Sequence, residues 1–273
     1  MNIIAKRIVA LLAAILLLAA SAAAEEMNVL LIGLDTEEKT GRSDTMLLIR
    51  IQPEEGKVQL VSFLRDLYVR IPGHGSTRLN AAYFYGGEAL LRQTLSEAFG
   101  VPIHRSATVR FSTLKWLVDE VGGVTLEVSE GERQHMNKLL KASGETQLAE
   151  SGTQRLNGPQ ALAYSRIRKL DSDFQRTKRQ QNLLTALLPP MSQQNVFALT
   201  KLAITLMGQV ETDMTLSDLA TLAPLLSRLD SLTIQTAQVP FEGAYQDATV
   251  DGMMVLKPDL EKNRRLLQDF LSE

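Results

Sequence analysis

Residues 27–33 read Met-Asn-Val-Leu-Leu-Ile-Gly, a short run with one polar side chain and a closing glycine. Its length and composition predict a strand, and apolar side chains at successive positions need cover on both faces of the sheet. The strand is therefore expected to be buried on both faces. Two more β-branched or apolar runs follow at 45–51 and 57–63, with Pro53-Glu54-Glu55-Gly56 between them as a turn signal, so a hairpin is predicted. Residues 67–71 are expected to continue the same sheet.

Helical and strand patterns then alternate. Leu90, Leu91, Leu95 and Phe99 form one stripe of a helix over 88–99, and residues 103–111 read as a strand. A helix over 112–121 ends at Gly122-Gly123, and 124–128 alternates as a strand. Residues 129–157 are polar and are expected to form an irregular, mobile excursion with some helix. A short helix is predicted at 159–164 and a stronger one at 176–188, stopped by Pro189-Pro190. Helices over 192–210 and 217–229, the second behind a Thr215-x-x-Asp218 capping box, are expected to pack on one core. Strands at 231–239 and 248–256 and a terminal helix from Pro258-Asp259 complete the pattern. The interleaving of strands and helices, without a repeat or linker, gives one α/β domain over 27–273.

Lys6 and Arg7 precede an uninterrupted run of seventeen apolar or small residues at 8–24. Charges first and small residues last is the order of an export signal, and Ala22-Ala23-Ala24 offers an A-x-A cleavage site. A cleaved signal peptide over 1–24 and an uncleaved membrane anchor both remain open, and the basic flank places the rest of the chain outside the membrane. The chain has no cysteine, which removes disulfides, thiolate zinc sites and cysteine nucleophiles. Its 29 basic and 31 acidic side chains, a formal charge of −2, argue against a nucleic-acid partner. The basic residues are clustered instead: Arg166, Arg168, Lys169, Arg176, Lys178 and Arg179 put six cations within fourteen residues. Such a cluster needs solvent or a polyanion to settle it.

Three polar constellations follow or interrupt predicted strands, where open α/β sheets place ligands. The first is Gly33-Leu34-Asp35 with Arg42-Ser43-Asp44. Two carboxylates at the end of one strand and the start of the next either converge on a hard cation such as Mg²⁺ or cap turns. The second is Ser62-Phe63-Leu64-Arg65-Asp66, in which an arginine leaves a strand end with a planar fork suited to phosphate, or pairs with a neighbouring carboxylate. In the third, Arg166 and Arg168 flank Ile167, so on an extended segment both guanidinium groups point one way and Ile167 faces the core.

The set of these motifs, in this order, resembles the LytR-CpsA-Psr family of cell-wall glycopolymer ligases. The matching residues also include Leu79-Asn80-Ala81-Ala82-Tyr83 with Gly86-Gly87, Leu117-Val118-Asp119-Glu120-Val121-Gly122-Gly123-Val124, Leu156-Asn157-Gly158 with Gln160, and Arg176 with Arg179-Gln180. Leu64, Arg78 and Glu37 stand where the family usually has a proline, a lysine and a basic residue.

The resemblance implies a single α/β domain with a central mixed β-sheet flanked by helices and an apolar lipid-binding groove. It implies an extracytoplasmic phosphotransferase that moves a glycan phosphate from a polyprenyl-diphosphate-linked donor to a sugar hydroxyl of peptidoglycan, as in teichoic acid or capsule attachment. Carried over by motif, Asp35 and Asp44 would hold Mg²⁺, and Arg42 and Arg65 would join them in catalysis. Arg65, Arg166, Arg168, Arg176, Arg179 and Gln180 would bind the diphosphate, and membrane lipid would adjoin the domain. A polyprenyl-diphosphate hydrolase and a non-catalytic envelope regulator are the alternatives.

Overall fold

The computed structural model describes residues 26–34, 36, 41–167, 170, 172–222, 225 and 229–273. The N-terminal apolar run lies outside the described residues, as do Asp35, Arg168 and Lys169. Strand β1 (Met27–Leu34) lies inside a six-stranded sheet, between β2 (Ser43–Gln52), antiparallel to it, and β6 (Arg105–Val109), parallel to it. β3 (Lys57–Phe63) returns from β2 through the expected turn, in which Gly56 N donates to Pro53 O at 3.3 Å. β10 (Thr233–Val239) pairs parallel with β3, and the short β9 (Glu211–Thr212) pairs with β6 at the other edge. The sheet is therefore mixed. β1, β3, β6 and β10 run the same way, so their C-terminal ends share one edge with the start of β2.

The double-sided burial read from residues 27–33 has a direct structural counterpart. Leu30, Ile32 and Leu34 of β1, with Met46 and Leu48 of β2, enter one core together with α1 (Ala81–Phe99) and α9 (Leu260–Ser272). Leu31 and Gly33 turn to the other face. Opposite that face stands a second core built from α2 (Phe111–Glu120), α3 (Glu130–Ala142), α4 (Gly158–Ser165) and α5 (Asp173–Ala186). These helices meet closely at Gly158, whose N–H donates to Asp119 Oδ1 at 2.7 Å. A Cβ there would come within 2.4 Å of Lys115 O.

Several expectations are corrected. Residues 67–71 do not extend the sheet; β4 (Tyr68–Ile71) forms a separate hairpin with β5 (Gly75–Arg78). The expected excursion at 129–157 holds α3, entered through a Ser129–Glu132 capping box, and β8 (Gly152–Leu156), paired with β7 (Val124–Val128). The Ser-x-x-Glu spacing was the signal for the first. Pro189 and Pro190 do not merely stop a helix: α5 ends at Ala186, and both prolines enter the first turn of α6 (Leu188–Ser192), where a missing N–H costs nothing. The single strand expected at 248–256 is a hairpin of β11 (Tyr245–Val250) and β12 (Met253–Pro258). It reverses at Asp251-Gly252, both at positive φ, the pair that a two-residue hairpin turn demands. α7 (Val196–Met207) lies within the first late helical region, and α8 (Leu216–Thr221) covers only the start of the second.

The close approach at Gly158 generates a prediction. Gly158→Ala forces α4 away from α2 and should lower the unfolding free energy by about 1–3 kcal/mol, a typical cost of overpacking. Urea unfolding checks it: the midpoint should fall with the slope unchanged.

Candidate active site

An apolar cavity of about 270 Å³ lies between the second face of the sheet and the second core. Leu31 and Gly33 form part of its floor, and Leu114, Leu117, Leu162, Leu183, Leu184 and Leu206 contribute to its walls. Gly33 keeps that floor open, because a Cβ there would come within 2.9 Å of the Thr45 Cβ across the β1–β2 pair. Besides Thr45, Thr113 and Ser165, the polar lining residues are Asp44, Arg110, Arg166, Arg176 and Gln180. Asp44 is the second residue of β2 and Arg110 directly follows β6, so the polar groups gather where the parallel strands end.

Arg65 leaves the end of β3 and meets three carboxylates. Its Nη1 donates to Asp44 Oδ1 at 2.7 Å, and its Nε stands 3.7 Å from Asp173 and 3.8 Å from Asp66. Asp66 also pairs with Arg78 at 3.3 Å. Arg176, buried on α5, binds Asp173 at 2.9 Å and donates to the Asp44 carbonyl at 3.2 Å, tying the helix to the start of β2. Burial lowers the Arg65 pKa, but the Asp44 hydrogen bond and the fields of Asp173, Asp44 and Asp66 outweigh it and raise the value. Asp173 is shifted up, first because burial disfavours its charge; Arg176 and Arg65 oppose that shift, while Asp66 and Asp44 add to it.

Arg166 caps the C-terminus of α4 with its side chain exposed and its guanidinium 4.4 Å from the centre of the Phe111 ring. It closes a helix, where an extended segment was expected. Ile167 is buried as expected, and Arg168 lies outside the described residues. Gln180 lines the cavity from α5.

Arg179 sits on a different side of α5. Its Nε donates to Glu132 at 2.7 Å and its Nη1 to the Ile167 carbonyl at 3.5 Å, so it fixes the segment after Arg166 and does not line the cavity. The start of α5 is capped from within: Ser172 accepts from Gln175 N, and Asp173 occupies the first turn. Arg42 is exposed beside Ser43, and Asp35, one residue beyond β1, lies outside the described residues. Among the described residues no three His, Asp or Glu side chains converge as a metal cluster.

Sequence reasoning missed Arg110, Phe111 and the Asp173 contact. Arg110 follows β6 as Arg65 follows β3, but the strand expected over 103–111 encloses it, and only the observed end at Val109 exposes it as a strand-end arginine. Asp173 and Arg176 carry the three-residue helical spacing of an ion pair. Phe111 gave no signal, because its role depends on where α4 ends. Together the groups form a cation-rich mouth on an apolar cavity, suited to an anionic head with a hydrocarbon tail.

The LytR_cpsA_psr family model matches residues 13–269. Among curated proteins, the polyisoprenyl-teichoic acid–peptidoglycan teichoic acid transferase TagT of Bacillus subtilis (strain 168) is 31% identical over 228 residues, 81% of this chain and 70% of that protein. The solved structure of TagT bound to LIIa-WTA superposes with a TM-score of 0.75 at 29% identity, covering 91% of this chain and 92% of that one. Another TagT structure, with bound octaprenyl pyrophosphate lipid, gives a TM-score of 0.69 at 27% identity, covering 92% of both chains.

The Arg179–Glu132 pair yields a pH prediction. Burial alone would raise the Glu132 pKa, but hydrogen bonds from Arg179 and Ser129 outweigh it and hold the carboxyl below its ordinary value. A depressed folded-state pKa contributes stability above the unfolded value, about 4.3, and that contribution is lost as pH falls through the folded value. Glu132→Gln should therefore lower the urea midpoint at pH 7, and the gap to the parent chain should narrow on acidification. A gap that stays constant with pH contradicts this role.

Proposed function

The chain belongs to the LytR_cpsA_psr family, and from that premise we propose that it is an extracytoplasmic phosphotransferase attaching a glycan to peptidoglycan from a polyprenyl-diphosphate-linked donor. One observation carries the reading: an apolar cavity opens onto Arg166, Arg176 and Gln180, with Arg65 held beside Asp44 at the same mouth. The polyprenyl chain occupies the cavity and the diphosphate meets the guanidinium groups. Lys6, Arg7 and the apolar run at 8–24 support placement outside the membrane; among the described residues no helix is long and apolar enough to cross one.

In the transfer, the sugar hydroxyl oxygen forms a bond to the glycan-bearing phosphorus and gives up its proton, which the departing phosphate oxygen or water takes. The phosphoanhydride bond breaks, and its electron pair leaves with polyprenyl phosphate. Phosphoryl transfer needs positioning and stabilisation of charge on the departing oxygens, which fixed arginines supply. Arg176 is anchored on both sides, and Arg166 lies over Phe111, so each presents its charge with little reorganisation. The low polarity of the cavity walls strengthens these interactions.

Mg²⁺ fits the chemistry of the mouth. The ion takes one or two carboxylates and completes its shell with phosphate oxygens and water, so Asp44, joined by Asp35, would hold it without a larger acidic cluster. Asp44 stands at the start of β2 and lines the cavity, where a phosphate oxygen would complete such a shell. When bound, the ion would neutralise phosphate charge.

Incubation with a lipid-diphosphate glycan, peptidoglycan and Mg²⁺ tests the proposal. Glycan should become attached to peptidoglycan, and phosphate release without attachment would make the protein a hydrolase instead. Arg166→Ala should lower transfer by about 10²–10³-fold, the usual cost of losing one charge-stabilising donor, with an unchanged urea midpoint. Arg65→Lys should retain more activity than Arg65→Ala, because the lysine keeps a cation among three carboxylates. Chelation should abolish turnover, and Mg²⁺ should restore it.

A further inference from the structure

Helix α7 is apolar on two opposite faces. Leu199, Leu202 and Leu206 recur at helical spacing and turn inward: Leu199 is buried, Leu202 packs on the second core and Leu206 lines the cavity. On the outward face Phe197 is 76% exposed and Ile204 is 44% exposed, with the exposed Lys201 between them. Exposed single leucines are common on soluble proteins, but two large apolar groups on one helical stripe, backed by the wall of an apolar cavity, are not scattered residues.

The position of α8, the next helix in the chain, narrows the occupant. Leu216, 56% exposed, opens α8, whose Asp218 accepts from Arg105 at 2.9 Å. Arg105 stands opposite Val29 in the β1–β6 pairing, so this segment adjoins the end of the sheet at which the chain enters β1. Only Glu25 and Glu26 separate Met27 from the apolar run at 8–24. That stretch spans roughly 10 Å when fully extended, so an anchored run would hold the start of β1 close to the bilayer.

We infer that the outward face of α7, together with Leu216, docks on the lipid bilayer that carries the donor. Phe197, Ile204 and Leu216 enter the boundary between headgroups and acyl chains, and Lys201 meets lipid phosphate, the arrangement of an interfacial amphipathic helix. The inner face of the same helix lines the cavity through Leu206, so a polyprenyl chain passes from bilayer to cavity alongside α7 with little exposure to water. The inference rests on the reading of a membrane-borne lipid donor.

The absence of cysteine permits a direct test on the full chain. Single variants Phe197→Cys, Ile204→Cys and, as a control on α9 behind the opposite face of the sheet, Asp269→Cys are labelled with a polarity-sensitive fluorophore. Each is mixed with vesicles of phosphatidylcholine and phosphatidylglycerol carrying a nitroxide near the headgroup. Blue-shifted, quenched emission at 197 and 204 but not at 269 is expected. No quenching at 197, equal quenching at all three sites, or a signal that follows protein concentration and not lipid overturns the inference, the last pointing to a second copy of the chain.

Turnover separates docking from the functional reading. The double variant Phe197→Ser, Ile204→Ser should lower kcat/KM for a vesicle-embedded donor by about tenfold or more through loss of interfacial insertion. A short-chain donor dissolved in water should be turned over as by the parent chain. Equal loss on both donors assigns the face to shaping the cavity and overturns the docking. If the parent chain turns over neither donor, the functional reading fails, and the quenching still judges the surface.

Discussion

The guanidinium of Arg65 is the point on which the mouth of the cavity depends. It stands, half-buried, among Asp44, Asp66 and Asp173, which offset the cost of withdrawing its charge from water. The three carboxylates in turn repel one another, so Arg65, Arg78 and Arg176 are needed to hold them together. The alternation nearly neutralises this cluster, and Arg110 and Arg166 add the excess positive charge at the mouth. It also sets a condition on the substrate: a diphosphate arriving here meets carboxylates as well as guanidinium groups. A divalent cation on Asp44 would turn one of those repulsions into an attraction, which is the physical case for the proposed Mg²⁺.

The arginines divide into those that face the cavity and those that build it. Arg166 and Arg176 line it, whereas Arg179 is committed to Glu132 and the Ile167 carbonyl. Arg179 therefore acts through the segment it positions, fixing the chain next to Arg166. Its proximity to Arg176 in sequence hides this difference, since three residues along a helix turn a side chain by only part of a turn. The neighbouring segment decides which partner each one finds.

What could be read from the sequence follows from the range of the interactions involved. The central strand, the β2–β3 hairpin and the helices at 88–99 and 112–121 were legible because burial on both faces, a turn signal and helical spacing are local patterns. The Asp251-Gly252 hairpin and the Ser129–Glu132 cap are equally local, and the Asp-Gly pair and the Ser-x-x-Glu spacing carry their signals. Arg65 was legible as a strand-end arginine, whereas Arg110 was hidden inside a strand read two residues too long. The Arg166–Phe111 contact and the Arg65–Asp173 pairing were not legible, because each joins elements whose meeting depends on the packing of α4 and α5 against the sheet.

The cavity explains why this domain needs two cores. A sealed, rigid void of the observed 270 Å³ would cost on the order of 6 kcal/mol at the usual cost per unit volume. That is comparable with the whole net stability of an ordinary domain. Water relieves little of the cost, because leucine walls offer it few hydrogen bonds. The first core, with α1 and α9 closed over one face of β1, stabilises the sheet independently of the cavity. The second core can then stand off from the other face, held at Gly158 and at Arg176, without the sheet losing its support. An apolar chain filling the space restores the missing contacts, so ligand binding and domain stability are coupled through the same leucines.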